Sequence, residues 1–129
     1  MSSLEDDLAG VIVGIPAVDF ARLARDHEPR ELRRYGADAR IDWDHVRAAT
    51  HAVSPLALPP RVPRERRFIF AGTADRVARP DQARALWRHW DRCAIHWFAG
   101  GHVAAQWNPT IAPFVDASLR TILAGGTTP

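Results

Sequence analysis

A chain of 129 residues with 47% apolar content is long enough for one packed domain and too apolar for a disordered segment. Its apolar runs stop at about six residues, far below the roughly 20 of a membrane span. The start Met1-Ser2-Ser3-Leu4-Glu5-Asp6-Asp7 is acidic and unlike a signal peptide. The formal charge is +2, and all 17 basic residues are arginine.

The densest basic run, Arg61-Val62-Pro63-Arg64-Glu65-Arg66-Arg67, has no interleaved aromatics and includes an acid. It precedes an apolar strand, so it reads as a solvated loop and not as a nucleic-acid surface. A lone cysteine, Cys93, precludes an intrachain disulfide. A soluble, cytoplasmic α/β domain is the expectation, with neither nucleic acid nor membrane as partner.

In chain order, Ala9-Gly10-Val11-Ile12-Val13-Gly14-Ile15 has the β-branched pattern of a buried strand, ended by Pro16. A short helix is predicted from Val18 to about His27, capped by Asp19, with Phe20, Leu23 and Ala24 on one face. Residues 28–40 are charged and irregular. Asp42 caps a second predicted helix to about Ala52, with Trp43, Val46 and Ala49 or Thr50 inward. The proline-rich stretch Ser54 to Pro60 is an extended connector.

Phe68 to Ala71 reads as a strand. Pro80 suits a first helical position, and Ala83, Leu86, Trp87 and Trp90 follow at helical spacing to about Arg92. Ala94 to Ala99 is a third strand. The last helix is predicted to open at Asn108 and Pro109 and to bury Ile111, Phe114, Val115, Leu119, Ile122 and Leu123.

This alternation predicts an α/β three-layer sandwich with a short parallel sheet of about three strands flanked by helices. One partial domain is expected over residues 1–129. Residues 1–60 supply a strand and a helical and connector region; residues 61–129 supply a strand–helix–strand–helix unit. The first strand is left with an open edge, where a second copy or a partner chain would pair.

Two loops carry the chemistry. Gly72-Thr73-Ala74-Asp75 and Gly100-Gly101-His102 each follow a strand, and a helical crossover puts both at the carboxyl edge of the sheet. An acid and an imidazole brought together there are two members of a Ser-His-Asp set. The plainer readings are a loop aspartate capping the turn into Pro80 and a loop histidine capping main-chain groups.

With these segments, and with Val11 to Asp19, nearly the whole chain resembles the C-terminal part of the α/β-hydrolase superfamily, esterase- or lipase-like serine hydrolases. The resemblance covers about the last three strands of an eight-stranded fold. It implies Asp75 as catalytic acid and His102 as catalytic base, with Gly72 and Gly101 letting the loops turn. No Gly-x-Ser-x-Gly elbow occurs, and Ser2, Ser3, Ser54 and Ser118 all lie outside a strand–Ser–helix setting. The oxyanion-hole loop is missing too. The chain therefore reads as a truncated or C-terminal fragment, inactive alone, that would act on a small-molecule ester if an N-terminal portion completed it.

A non-catalytic module pairing through the open strand edge is the alternative, and a small α/β enzyme using Asp75 and His102 without serine is a third. His89, Cys93, His96 and His102 lack a compact metal-ligand pattern, and no metal or organic cofactor is expected. Cys93 reads as a buried, inert thiol. Trp87, Trp90 and Trp97 read as core, and Trp107, just after the histidine loop, as the tryptophan that would bind substrate.

Overall fold

Six apolar and arginine residues, Arg67–Gly72, form the central strand of a parallel sheet in a computed structural model that describes residues 4–5, 7–29 and 41–125. We label the elements β1 (Val11–Gly14), α1 (Phe20–Asp26), α2 (Trp43–His51), β2 (Arg67–Gly72), α3 (Pro80–His89), β3 (Ala94–Phe98) and α4 (Ile111–Ala124). The strand order is β1-β2-β3, all parallel, with Val13, Ile69 and Ile95 in one row across the sheet. The α/β class and the three parallel strands agree with the sequence pattern. Most of the charged stretch, residues 30–40, lies outside the described residues, as do Ser2 and Ser3.

Period-2 alternation sends Val11, Val13, Ile69 and Ile95 to one face, where they pack with Val18, Leu86, Trp90 and Cys93. Helix α3 covers this face through its Leu86–Trp90 stripe. The opposite face belongs to α4, whose Phe114 stacks on His96 at 5.3 Å and meets Phe68 edge-on at 6.3 Å. The sheet thus has a helix layer on each side. Among the described residues, no helix is long and apolar enough to cross a membrane.

Several boundaries differ from the sequence reading, each for a local reason. In α1 the buried alanine is Ala21, not Ala24, while Asp19 caps as expected by accepting from the Arg22 N–H. Helix α3 ends at His89 and not near Arg92, because Asp91 and Arg92 both adopt left-handed φ of 56° and 55°. The Arg92 N–H bonds back to the Trp87 carbonyl at 2.8 Å and closes the helix. Helix α4 starts at Ile111, two residues past Pro109, because Asn108 Oδ1 accepts the Thr110 N–H in a turn that precedes it. Its buried residues are Ser118 and Ile122, whereas Leu119 and Leu123 are exposed. A six-residue apolar arc is wider than a three-stranded sheet covers.

The basic run is exposed at Arg61, Pro63, Arg64 and Glu65, as a solvated loop would be, but its arginines also bond to main-chain groups. Arg64 donates to the carbonyls of Asp91 and Arg92 at 2.8 and 3.3 Å, and Arg66 donates to the Gly125 carbonyl. Buried Arg67 donates to the Val62 carbonyl and pairs with Asp91 at 2.9 Å. These guanidiniums hold the left-handed turn after α3 and the end of α4, and they supply the charge that a solvated loop would present to water.

Cys93 lies in the core cluster, and burial pushes its thiol up to about 11 despite the nearby guanidinium of Arg67. At pH 8 only roughly one thiol in a thousand is then ionised, against about a quarter in an unfolded chain. Alkylation of the native protein by iodoacetamide is expected to be about a hundredfold or more slower than in urea. Equal rates would contradict this burial.

Candidate active site

The carboxyl ends of β2 and β3 are stitched together by main-chain bonds. Thr73 N–H donates to the Phe98 carbonyl at 2.9 Å and Ala74 N–H to the Gly100 carbonyl at 3.0 Å. This approach requires glycine at the end of β2, since a Cβ on Gly72 would lie 2.6 Å from the Gly100 oxygen and 3.1 Å from the Phe98 ring. Gly100 itself has a φ of 145°, a conformation that L side chains rarely adopt. Gly72→Ala is expected to push the loops apart and destabilise the fold by about 1–3 kcal/mol, read in urea melts. An unchanged midpoint would show that the loops yield freely.

Joined in this way, the loops bring the predicted acid and base into contact. His102 Nδ1 lies 3.0 Å from Asp75 Oδ2. The Asp75 side chain is 0% exposed, and that of His102 is 43% exposed. The second carboxylate oxygen, Oδ1, accepts the N–H groups of Val77 and Ala78 at 2.8 and 3.0 Å. Capping and histidine binding therefore coexist, one oxygen to each. Two main-chain donors fix the carboxylate, and the carboxylate fixes the ring. The other ring nitrogen, Nε2, meets no partner among the described residues and is the atom left to exchange a proton with a ligand.

Among the described residues, no hydroxyl is presented to that nitrogen. Ser54 Oγ donates to the Val18 carbonyl at 2.7 Å, and buried Ser118 Oγ donates to the Phe114 carbonyl at 2.8 Å. A second imidazole–hydroxyl contact, His96 Nε2 to Thr110 Oγ1 at 2.7 Å, was not marked by any sequence motif. The Thr110 hydroxyl donates its single proton to Asn108 Oδ1 at 2.7 Å, so His96 is the donor and Thr110 the acceptor. That direction is opposite to an activated nucleophile.

The remaining singled-out residues are dispersed. His89 bonds the Leu58 carbonyl at 2.9 Å, His96 bonds Thr110, and His102 bonds Asp75. Among the described residues no three His, Cys, Asp or Glu side chains gather as metal ligands. Trp107 ends a 3-10 turn, Val103–Trp107, that begins directly after His102, and it is 73% exposed. Trp90 is buried, and the half-buried Trp97 ring lies 5.1 Å from the Arg84 guanidinium carbon.

Sequence reasoning missed Gln82, a buried amide whose Oε1 accepts the N–H groups of Val18 and Asp19 at 2.9 and 2.8 Å. It ties the exit of β1 to α3. Its signal was position: Gln82 shares the i, i+4, i+8 stripe with Leu86 and Trp90.

Comparison with known proteins adds relatives but no family. Two Mycobacterium tuberculosis proteins, from strains CDC 1551 and H37Rv, are 35% identical to this chain over 124 residues. Each is described as an uncharacterized protein. The aligned region is 93% of this chain but 29% of each relative, so the chain spans under a third of their length. No family model matches. No solved structure matches either.

Proposed function

We propose that the chain carries the acid and base of an acyl-transfer site of the α/β-hydrolase kind, with Asp75 orienting His102 and the nucleophile supplied from outside these residues. The observation that carries this reading is the 3.0 Å contact between His102 Nδ1 and a fully buried Asp75 carboxylate anchored by two amides. A carboxylate on Nδ1 selects the tautomer with its lone pair on Nε2, which is what general-base catalysis requires. In the completed site a serine hydroxyl gives its proton to His102 Nε2 as it attacks an ester carbonyl. The imidazolium then returns that proton to the leaving alcohol, and Asp75 stabilises the cation between the two steps. Exposed Trp107 offers an apolar wall for the acyl group.

With no nucleophile set against His102 among the described residues, the chain by itself is expected to be inactive. The test compares it with a full-length relative from M. tuberculosis. A fluorophosphonate, which captures activated serines, is expected to leave the 129-residue chain unlabelled and to label the longer protein. Replacing the residue aligned with His102 by alanine in the longer protein is expected to abolish both labelling and hydrolysis of p-nitrophenyl butyrate. Hydrolysis that survives this change would sink the reading.

One observation favours a second reading, a non-catalytic module. β1 pairs only with β2, so the outer edge of Val11–Gly14 has no strand beside it among the described residues. A partner strand would add there through main-chain bonds. Proline at Ile12 or Val13 would abolish such association while leaving β2 and β3 paired, a change that light scattering would read as loss of a larger species.

A further inference from the structure

We propose that the groove leading from the Asp75 loop past Asp26 to Trp43 is an anion subsite that takes a phosphate or carboxylate group. Its link to chemistry at His102 rests on the acid–base reading above, while the anion site itself stands on the arginines. The hollow beside Asp75 is walled by Asp26, Arg76 and Arg79, and it continues past Arg25 to the indole of Trp43. Arg22 and Arg47 line its far end.

The described lining has five arginines, of which Arg22 is paired with Asp81, Arg47 with Asp44 at 3.6 Å, and Arg79 with Asp26. The positive charge without a carboxylate partner is therefore local, not spread along the groove. Asp26, with its side chain 29% exposed, lies 3.3 Å from Arg79 and 3.8 Å from Arg22, and Arg22 pairs also with Asp81 at 2.5 Å. One acid thus positions two guanidiniums. Arg25 and Arg76, on either side, pair with no carboxylate among the described residues.

Each guanidinium carries a planar fork of N–H donors that matches phosphate or carboxylate oxygens, and those of Arg25 and Arg76 are not committed to a carboxylate among the described residues. Half-buried Trp43 supplies a flat apolar face at the other end of the groove. The ligand so described has an anionic group near the Asp75 loop and a planar or apolar portion toward Trp43. Set against His102, it would be an ester or thioester whose acidic end lies over α1.

The test is a titration of the full chain with pyrophosphate, followed by NMR at the arginine Nε–H groups and the Trp43 indole, with sodium chloride matching ionic strength. Saturable shifts at Arg25, Arg76, Arg79 and Trp43 are expected. Arg76→Gln with Arg79→Gln should weaken binding about a hundredfold, roughly tenfold for each charge-assisted contact removed. Arg25→Gln, at an exposed helix position, gives a second variant with the same expected direction. Citrate in place of pyrophosphate separates carboxylate from phosphate preference, and tighter binding of either assigns the ligand class. Shifts that follow ionic strength alone, that centre on residues 61–67, or that persist in the variants would overturn the anion site. The His102 ring signals, read in the same spectra, report the acid–base pair separately.

Discussion

Asp75→Ala is expected to destabilise the chain by about 2–4 kcal/mol and to release the His102 ring. The side chain is fully buried, and its loss orphans three donors at once: the Val77 and Ala78 amides and His102 Nδ1. Val77 and His102 are exposed enough for water to replace the lost acceptor, but Ala78 is buried and stays unsatisfied. Asp75→Asn separates the two duties of this residue. An amide oxygen still accepts from Val77 and Ala78, so the stability loss is expected to fall to about 1 kcal/mol. The amide nitrogen then faces Nδ1, and two donors cannot share one hydrogen bond, so the ring is driven to the tautomer with its proton on Nε2. In a completed site that change lowers turnover by about ten-thousandfold. Urea melts of both variants measure the first effect. Equal destabilisation by alanine and asparagine would show that the cap contributes nothing.

Trp90→Ala is expected to cost about 3–5 kcal/mol, a large part of the ~5–15 kcal/mol that a domain of this size possesses. Trp90 is 2% exposed and packs against Val18, Ile69, Leu86 and Cys93, so it joins α3, β2 and the exit of β1. Its removal leaves a cavity lined by rigid elements that cannot close over it. The indole N–H, however, meets no acceptor among the described residues. Trp90→Phe therefore discards an unsatisfied donor together with some volume, and the net cost is expected to stay within about 1.5 kcal/mol. Thermal and denaturant unfolding of the pair check this. A phenylalanine variant as unstable as the alanine one would mean that the indole N–H finds a partner.

The sheet and both site loops were legible because their signals are local. Strand alternation in Phe68–Phe70 and Ile95–Trp97 fixes which face each residue takes, and the helical crossover between the two parallel strands puts Asp75 beside His102. Gly72 was marked in the sequence as a sharp turn and is a point of close approach, but in the histidine loop the glycine with the special backbone is Gly100, φ 145°, and not the expected Gly101. What stayed hidden depends on partners distant in sequence. Nothing near Asp91 and Arg92 announces two left-handed residues, because Arg64 and Arg67, about 25 positions earlier, hold that turn. The same bonds make the basic run structural. Helix periodicity ranked Leu119 and Leu123 with the core because it counts apolar residues and not the width of the surface that covers them. The nucleophile was absent from the sequence pattern, and the described serines are engaged with main-chain carbonyls.

The most direct measurement is the tautomer and exchange of the His102 ring, read by long-range nitrogen–proton NMR on the intact chain and on Asp75→Ala. For the neutral ring, a proton held on Nδ1 and slow to exchange, with an unprotonated Nε2, is the predicted state, and it should vanish in the variant. A ring protonated on Nε2, or one that averages like free imidazole in both proteins, would contradict the claim that Asp75 prepares His102 as a base.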